Sequence, residues 1–237
     1  MSLRIALYTH EMKKVALTVL FLMFISTANA NAATTINVFA ASSMTESFSQ
    51  IGKQFEKAHA GIKVVFSFQA SSTLLTQIKS GAPADIFLSA EPFNGGTNYL
   101  VNRVVLGVPK FSAINKISDL NKNVTWIQCA HEVPCGSTAD AALAGEGVTS
   151  KPVSLEPKVS SAVAKLVAGE VDAAIIYKTD VLANKQLKAI EFGNKEAAKT
   201  TYQIALLRNS RWAATFSNYL QSKSVLKILQ NKGFEIK

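Results

Sequence analysis

The sequence predicts an α/β fold, and three observations carry that prediction. Apolar, β-branched runs alternate with helix-patterned stretches along the chain. Several of those runs are apolar on both faces, as strands of a helix-covered sheet require. Twice, such a run stops at a pair of serines and a helical pattern begins at once: Ile36-Asn37-Val38-Phe39-Ala40-Ala41-Ser42-Ser43-Met44, and Val64-Val65-Phe66-Ser67-Phe68-Gln69-Ala70-Ser71-Ser72-Thr73-Leu74. A helix N-terminus presents unpaired N–H groups and the positive end of the macrodipole. Two such ends facing one crevice make a receptor for a small anion.

In chain order, strands are expected at 36–40, 63–68, 85–89, 104–108, 124–129, 173–177 and 202–207. Met44, Phe48, Ile51 and Phe55 fall on one face of a helix at 43–59, opened by Ser43 with Glu46 as its capping-box partner. Leu74, Leu75 and Ile78 mark a second helix ending near Gly81, and residues 139–143 a third. Val159, Val163, Leu166 and Val167 mark a fourth, closed by Gly169. Trp212, Phe216, Leu220, Leu226, Ile228 and Leu229 predict two closing helices. No internal repeat or low-complexity linker interrupts the pattern.

The first 32 residues read as a secretory signal peptide. Arg4, Lys13 and Lys14 supply the positive segment, 15–25 is apolar apart from Thr18, and Ala28-Asn29-Ala30 is a small-residue cleavage pattern. An uncleaved anchor is the alternative, and Met12 is an alternative start. No cysteine lies near the cleavage pattern, which argues against a lipid anchor. The expected location is outside the cytoplasmic membrane, in the periplasm or on the outer face of the envelope.

About 205 residues remain, enough for one large domain or two small lobes. A hydrophobic content of 48% with 17% charged residues describes a globular chain. The net charge of +9 is spread over scattered lysines, with no basic run interleaved with aromatics, so nucleic acid is not an expected partner. Cys129 and Cys135 bracket Ala130-His131-Glu132-Val133-Pro134. In an exported chain the pair reads as a disulfide closing a short loop. Two free thiols are the alternative, and the spacing does not suit zinc.

Five ordered segments resemble the molybdate-binding periplasmic proteins, the substrate-binding components of molybdate ABC importers. They are Val38-Phe39-Ala40-Ala41-Ser42-Ser43-Met44-Thr45; Ala70-Ser71-Ser72-Thr73-Leu74; Gly81-Ala82-Pro83-Ala84-Asp85-Ile86-Phe87-Leu88-Ser89-Ala90; Glu132-Val133-Pro134-Cys135-Gly136; and Gly169-Glu170-Val171-Asp172-Ala173-Ala174-Ile175-Ile176-Tyr177. The resemblance implies a type II periplasmic binding protein, with two α/β lobes joined by crossing strands and a ligand cleft between them. Residues 34–106 plus 183–237 would form lobe one and 107–182 lobe two. It implies a monomer that captures molybdate, with tungstate as a near-equivalent, and delivers it to an ABC permease. No enzymatic activity and no cofactor are implied.

By the same resemblance the ligand set is Ser43 and Ser71 through hydroxyl and N–H, Cys135 and Val159 through backbone N–H, and Tyr177 through its phenol. These would hold the oxyanion without touching the metal itself. The family often has alanine where this chain has Cys135, a change that a main-chain donor tolerates. One departure is larger: after Ala90 about a dozen residues are missing, and Pro92 with Gly95-Gly96 predicts a shortened loop.

The chemistry of that set suits a fully deprotonated tetrahedral dianion, which needs donors only, because a buried acceptor facing it would be unpaired and repelled. Neither a carboxylate nor a lysine belongs to the set, so helix dipoles and distributed hydrogen bonds would balance the charge. Phosphate keeps a proton near neutral pH and would want an acceptor. Sulfate and thiosulfate are alternative ligands, separable by size, and an extracytoplasmic oxyanion sensor is an alternative role. A serine hydrolase using Ser43 or Ser71 with His131 lacks a nucleophile elbow. Without the resemblance, Ser43 and Ser71 are helix caps and Tyr177 a core tyrosine. Asp85 is expected to position the end of a strand, and His59 and His131 to lie on loops or the surface.

Overall fold

The computed structural model describes residues 33–236; the expected leader at 1–32 lies outside the described residues. Its ten strands run in the order β2-β1-β3-β9-β4-β7-β5-β6, with β8 and β10 both paired to β4. The first three are β1 (Thr34–Ala41), β2 (Ile62–Gln69) and β3 (Ile86–Ser89), parallel to one another with β1 in the middle. Helices α1 (Thr45–Ala58) and α2 (Ser71–Lys79) connect them. The long β4 (Thr97–Pro109) then crosses the molecule. A second parallel set follows: β5 (Trp126–Cys129), β6 (Ser154–Glu156) and β7 (Ala173–Tyr177), connected by α3 (Pro134–Leu143) and α4 (Val159–Ala168). The chain returns through α5 (Lys178–Ala183), β8 (Leu187–Ile190) and β9 (Lys199–Leu206), and closes with α6 (Arg211–Leu220), α7 (Lys223–Asn231) and β10 (Glu235–Ile236).

Two apolar cores correspond to the two parallel sets. One gathers Val38, Met44, Phe48, Ile51, Phe55, Tyr202 and Phe216; the other gathers Val105, Trp126, Ile127, Ala139, Leu166, Ile175 and Ile176. The predicted stripe of α1 is buried in the first, with Met44, Phe48 and Ile51 wholly removed from solvent. Each such side chain is worth about 1.5–3 kcal/mol of burial, which is why this amphipathic helix holds its register. Among the described strands only β4 has residues in both cores, and β9 starts directly after a residue of the second. Tyr99 and Leu100 of β4 pack in the first while Val104 and Val105 pack in the second; Tyr202 and Ile204 of β9 lie in the first, and Ala198 just before it in the second. The segment 183–198, which the resemblance places with lobe one, sends Leu187, Phe192 and Ala198 into the second core.

Several expectations need correction. The helix expected from Ser43 starts at Thr45, after a 3-10 turn over Ser42–Met44, and no side chain caps it. The capping box does not form because the Ser43 hydroxyl is engaged elsewhere, at 2.8 Å from the Tyr202 phenol, while Glu46 accepts a hydrogen bond from Lys232. β4 begins at Thr97, not 104. Its polar Asn98, Asn102 and Arg103 hid the strand, and pairing with β9 supplies the order that periodicity did not show. The shortened loop is present: after β3 the chain turns at Gly95, with φ +89°, directly into β4. Gly169, with φ +74°, closes α4 as predicted.

Cys129 and Cys135 are joined by a disulfide with Cα atoms 5.6 Å apart, closing the loop in front of α3. Gly136 is required beside it, since a Cβ there would lie 1.9 Å from the Ala130 carbonyl oxygen.

Candidate functional site

In open α/β sheets, ligands bind beyond the carboxyl ends of the strands where the connections diverge. Here β1 has β2 on one flank and β3 on the other, so its carboxyl end is such a point. The carboxyl ends of β1 and β2 deliver Ser43 and Ser71, and the end of β3 delivers Ala90. From the other half, β5 leads through the disulfide to Cys135, β6 leads to Val159, and β7 ends on Tyr177. All five sequence-predicted positions, Ser43, Ser71, Cys135, Val159 and Tyr177, line one pocket, together with Ala41, Ser42, Gln69, Ala70, Ala90, Pro134 and Lys158. Its cavity is about 10 Å³, the size of a water molecule and far below what an organic ligand fills.

The donors come from helix starts. Ser71 and Val159 are the first residues of α2 and α4, and Cys135 is the second of α3. Their N–H groups therefore have no partner inside their own helices, and three dipoles end with their positive poles at the pocket. Ser71 is 1% exposed, and its Oγ accepts a 2.8 Å hydrogen bond from the Ala90 N–H. That bond uses a lone pair and leaves the hydroxyl proton to be donated. Burial pushes the Tyr177 phenol well above the usual tyrosine range, so it stays protonated and remains a donor.

Lys158, the residue before α4 and outside the expected ligand set, also lines the pocket. Its Nζ donates to Gln69 Oε1 at 3.2 Å, so the pocket's one side-chain amide oxygen is already engaged by a cation. Sequence reading missed both residues, although the position directly before a helix expected to supply an N–H was a signal for Lys158. It also missed Tyr202 and Thr200, which stand behind the site: Tyr202 contacts Ser43, and Thr200 Oγ1 donates to the Tyr177 phenol at 3.2 Å. At 159 residues from Ser43, Tyr202 has no local signal at all.

No carboxylate lines the pocket. Along with Glu46, Asp180 lines a neighbouring cavity of about 270 Å³ that shares Ser42 and Ser43. Burial raises its pKa to about 7, opposed by a hydrogen bond accepted from the Tyr177 N–H. Asp85 ties a strand end, accepting from the Asn37 N–H at 2.7 Å. His131 sits exposed, 2.7 Å from Asp140, and His59 stacks on Phe55; neither lines the pocket, so neither serine has a histidine base there.

Two α/β halves meeting over a pocket of hydrogen-bond donors, with two strands passing between their cores, define a two-lobed solute-binding fold. The chain belongs to the bacterial extracellular solute-binding protein family, whose pattern it matches over residues 36–235. It is 31% identical over 223 residues to the molybdate-binding protein ModA of Mycobacterium tuberculosis H37Rv, covering 85% of each chain. It is likewise 31% identical over 234 residues to ModA of Escherichia coli K12, covering 85% of this chain and 89% of that one. The periplasmic molybdate-binding protein of Azotobacter vinelandii has the same fold, with a TM-score of 0.73 at 18% identity over 85% of this chain and 99% of the other.

Proposed function

We propose that this protein is the extracytoplasmic capture component of a molybdate ABC importer, binding molybdate, and tungstate as a near-equivalent, and passing it to a permease. Ser43, Ser71 and Tyr177 give hydroxyl protons to the oxyanion, and Cys135 and Val159 give backbone N–H groups. The observation that carries the reading is the convergence of these five positions, from both halves of the molecule, on one small pocket. The chemistry of the lining supports it. Tyr177 stays protonated and Gln69 Oε1 is engaged by Lys158, so neither stands free to accept the proton of hydrogen phosphate. Lys158 adds a positive charge to the helix dipoles that face the dianion. The names of the relatives at 31% identity support molybdate as the ligand. A monomer free in the periplasm is the form in which such a protein meets its permease.

Calorimetric titration of residues 33–237 with molybdate, tungstate, sulfate and phosphate tests the reading. Tight binding of molybdate and tungstate with none of phosphate is the expected result. Tight sulfate binding without molybdate heat would keep the fold and overturn the ligand.

A further inference from the structure

A hydroxyl has one proton, and Ser43 and Tyr177 can each give theirs to an anion only if the hydrogen bond each makes inside the protein is one it accepts. Both internal bonds come from the same strand. The Ser43 Oγ is 2.8 Å from the Tyr202 phenol, a contact in which either oxygen could donate. The Tyr177 phenol accepts from Thr200 Oγ1 at 3.2 Å, and Thr200 Oγ1 in turn lies 3.1 Å from Thr138 Oγ1 on α3. Tyr202 and Thr200 both belong to β9, and their side chains are 0% and 4% exposed, out of reach of water that could substitute for them.

Resting on the reading of the pocket as a dianion site, we propose that Tyr202 is a positioning residue for anion binding: its phenol donates to Ser43 Oγ and so turns the Ser43 proton toward the bound oxyanion. Thr200 does the same for Tyr177, with Thr138 donating to Thr200. The surroundings of Tyr202 favour this sense. The Asn102 side chain stands near its hydroxyl. Asn102 Oδ1 already accepts from the Arg103 N–H at 2.9 Å, while its Nδ2 donates to Thr179 at 2.8 Å. Asn102 Nδ2 keeps a second N–H, and directed at the phenol oxygen it would leave the phenol proton for Ser43. Burial keeps Tyr202 protonated, so the donor is permanent. Two hydroxyls on one crossing strand thus fix the polarity of hydroxyls from both halves. A serine held this way gives its proton and cannot swing round to accept one.

The test is a double-mutant cycle read by molybdate titration, with Tyr202→Phe and Ser43→Ala made singly and together. Tyr202→Phe removes one oxygen and keeps the ring that packs against Tyr177 and Phe234, at centroid distances of 6.1 and 5.7 Å. Thermal melting and circular dichroism of each variant confirm that the fold is retained. The expected result is a loss of affinity of about tenfold on Tyr202→Phe in the native background and of less than about twofold when Ser43 is already alanine. Equal losses in both backgrounds would make Tyr202 a structural support, and no loss in either would remove its role; both overturn the proposal. Thr200→Val provides the parallel cycle against Tyr177→Phe should Tyr202→Phe fail to fold. If the unsubstituted protein binds no molybdate, tungstate or sulfate, the reading of the site itself has failed. Native binding with an additive cycle sinks only the positioning role.

Discussion

Replacing Ser71 by alanine separates a ligand-binding serine from one that merely opens a helix. The side chain is 1% exposed, and its oxygen accepts from the Ala90 N–H at 2.8 Å, so two distinct losses follow from one atom. Removing the hydroxyl proton takes away one hydrogen bond to a charged group, worth about 1.5–3 kcal/mol. At about 1.4 kcal/mol per decade, that weakens molybdate binding by about 10- to 150-fold. Removing the oxygen also leaves the Ala90 N–H without its partner at the end of β3, which costs the unliganded protein about 1–3 kcal/mol of stability. Calorimetric titration reads the first loss and thermal unfolding without ligand reads the second. A variant that melts earlier but binds molybdate within about twofold of the native protein would show that Ser71 serves only to tie the β3 end to α2, and would refute its place in the ligand set.

Two further predictions concern Asp180, whose pKa burial raises from 3.8 to about 7. A carboxyl with a raised pKa binds its proton more tightly in the folded than in the unfolded state, so its contribution favours folding below about 3.8 and is lost as the pH rises through about 7. Asp180→Asn should remove this part of the slope when unfolding is followed across that range, and an unchanged slope would mean that the carboxyl is not held protonated. Because Asp180 shares a cavity with Ser43, its ionised form also opposes a dianion. Molybdate affinity should therefore fall as the pH rises through about 7 in the native protein and stay flat in Asp180→Asn.

Much of this architecture is written in local pattern. The two serine-ended strands, the stripe of Met44, Phe48, Ile51 and Phe55, and the glycine closing α4 each declare themselves within a dozen residues, because helix and strand periodicity are local properties. Ser43 and Ser71 stand where apolar strands hand over to helices, which local pattern shows, whereas Cys135, Val159 and Tyr177 are legible as site residues only through the family resemblance. What escaped depends on partners distant in sequence. The first half of β4 is a strand only because β9 pairs with it, at Asn102↔Thr200 for example, and its own polar residues argue for a loop. β6 and β8 are three and four residues long, and each has a charged residue, Glu156 and Lys188, that breaks its apolar run. The Ser43 capping box was a sound local expectation that a contact from Tyr202 displaced, which is tertiary structure overriding a helix-start signal. Lys158 and Gln69 were visible as residues, but their meeting over 89 positions of sequence was not.

The position of the oxyanion and the groups that hold it can be observed directly. Crystals grown with tungstate and measured on both sides of the tungsten absorption edge locate the metal independently of any fitted ligand. The expected result is a single anomalous peak enclosed by the Ser43 and Ser71 hydroxyls, the Cys135 and Val159 N–H groups and the Tyr177 phenol, with every oxyanion oxygen meeting a donor. A peak elsewhere, or one whose oxygens face the carboxylate of Asp180, would contradict it.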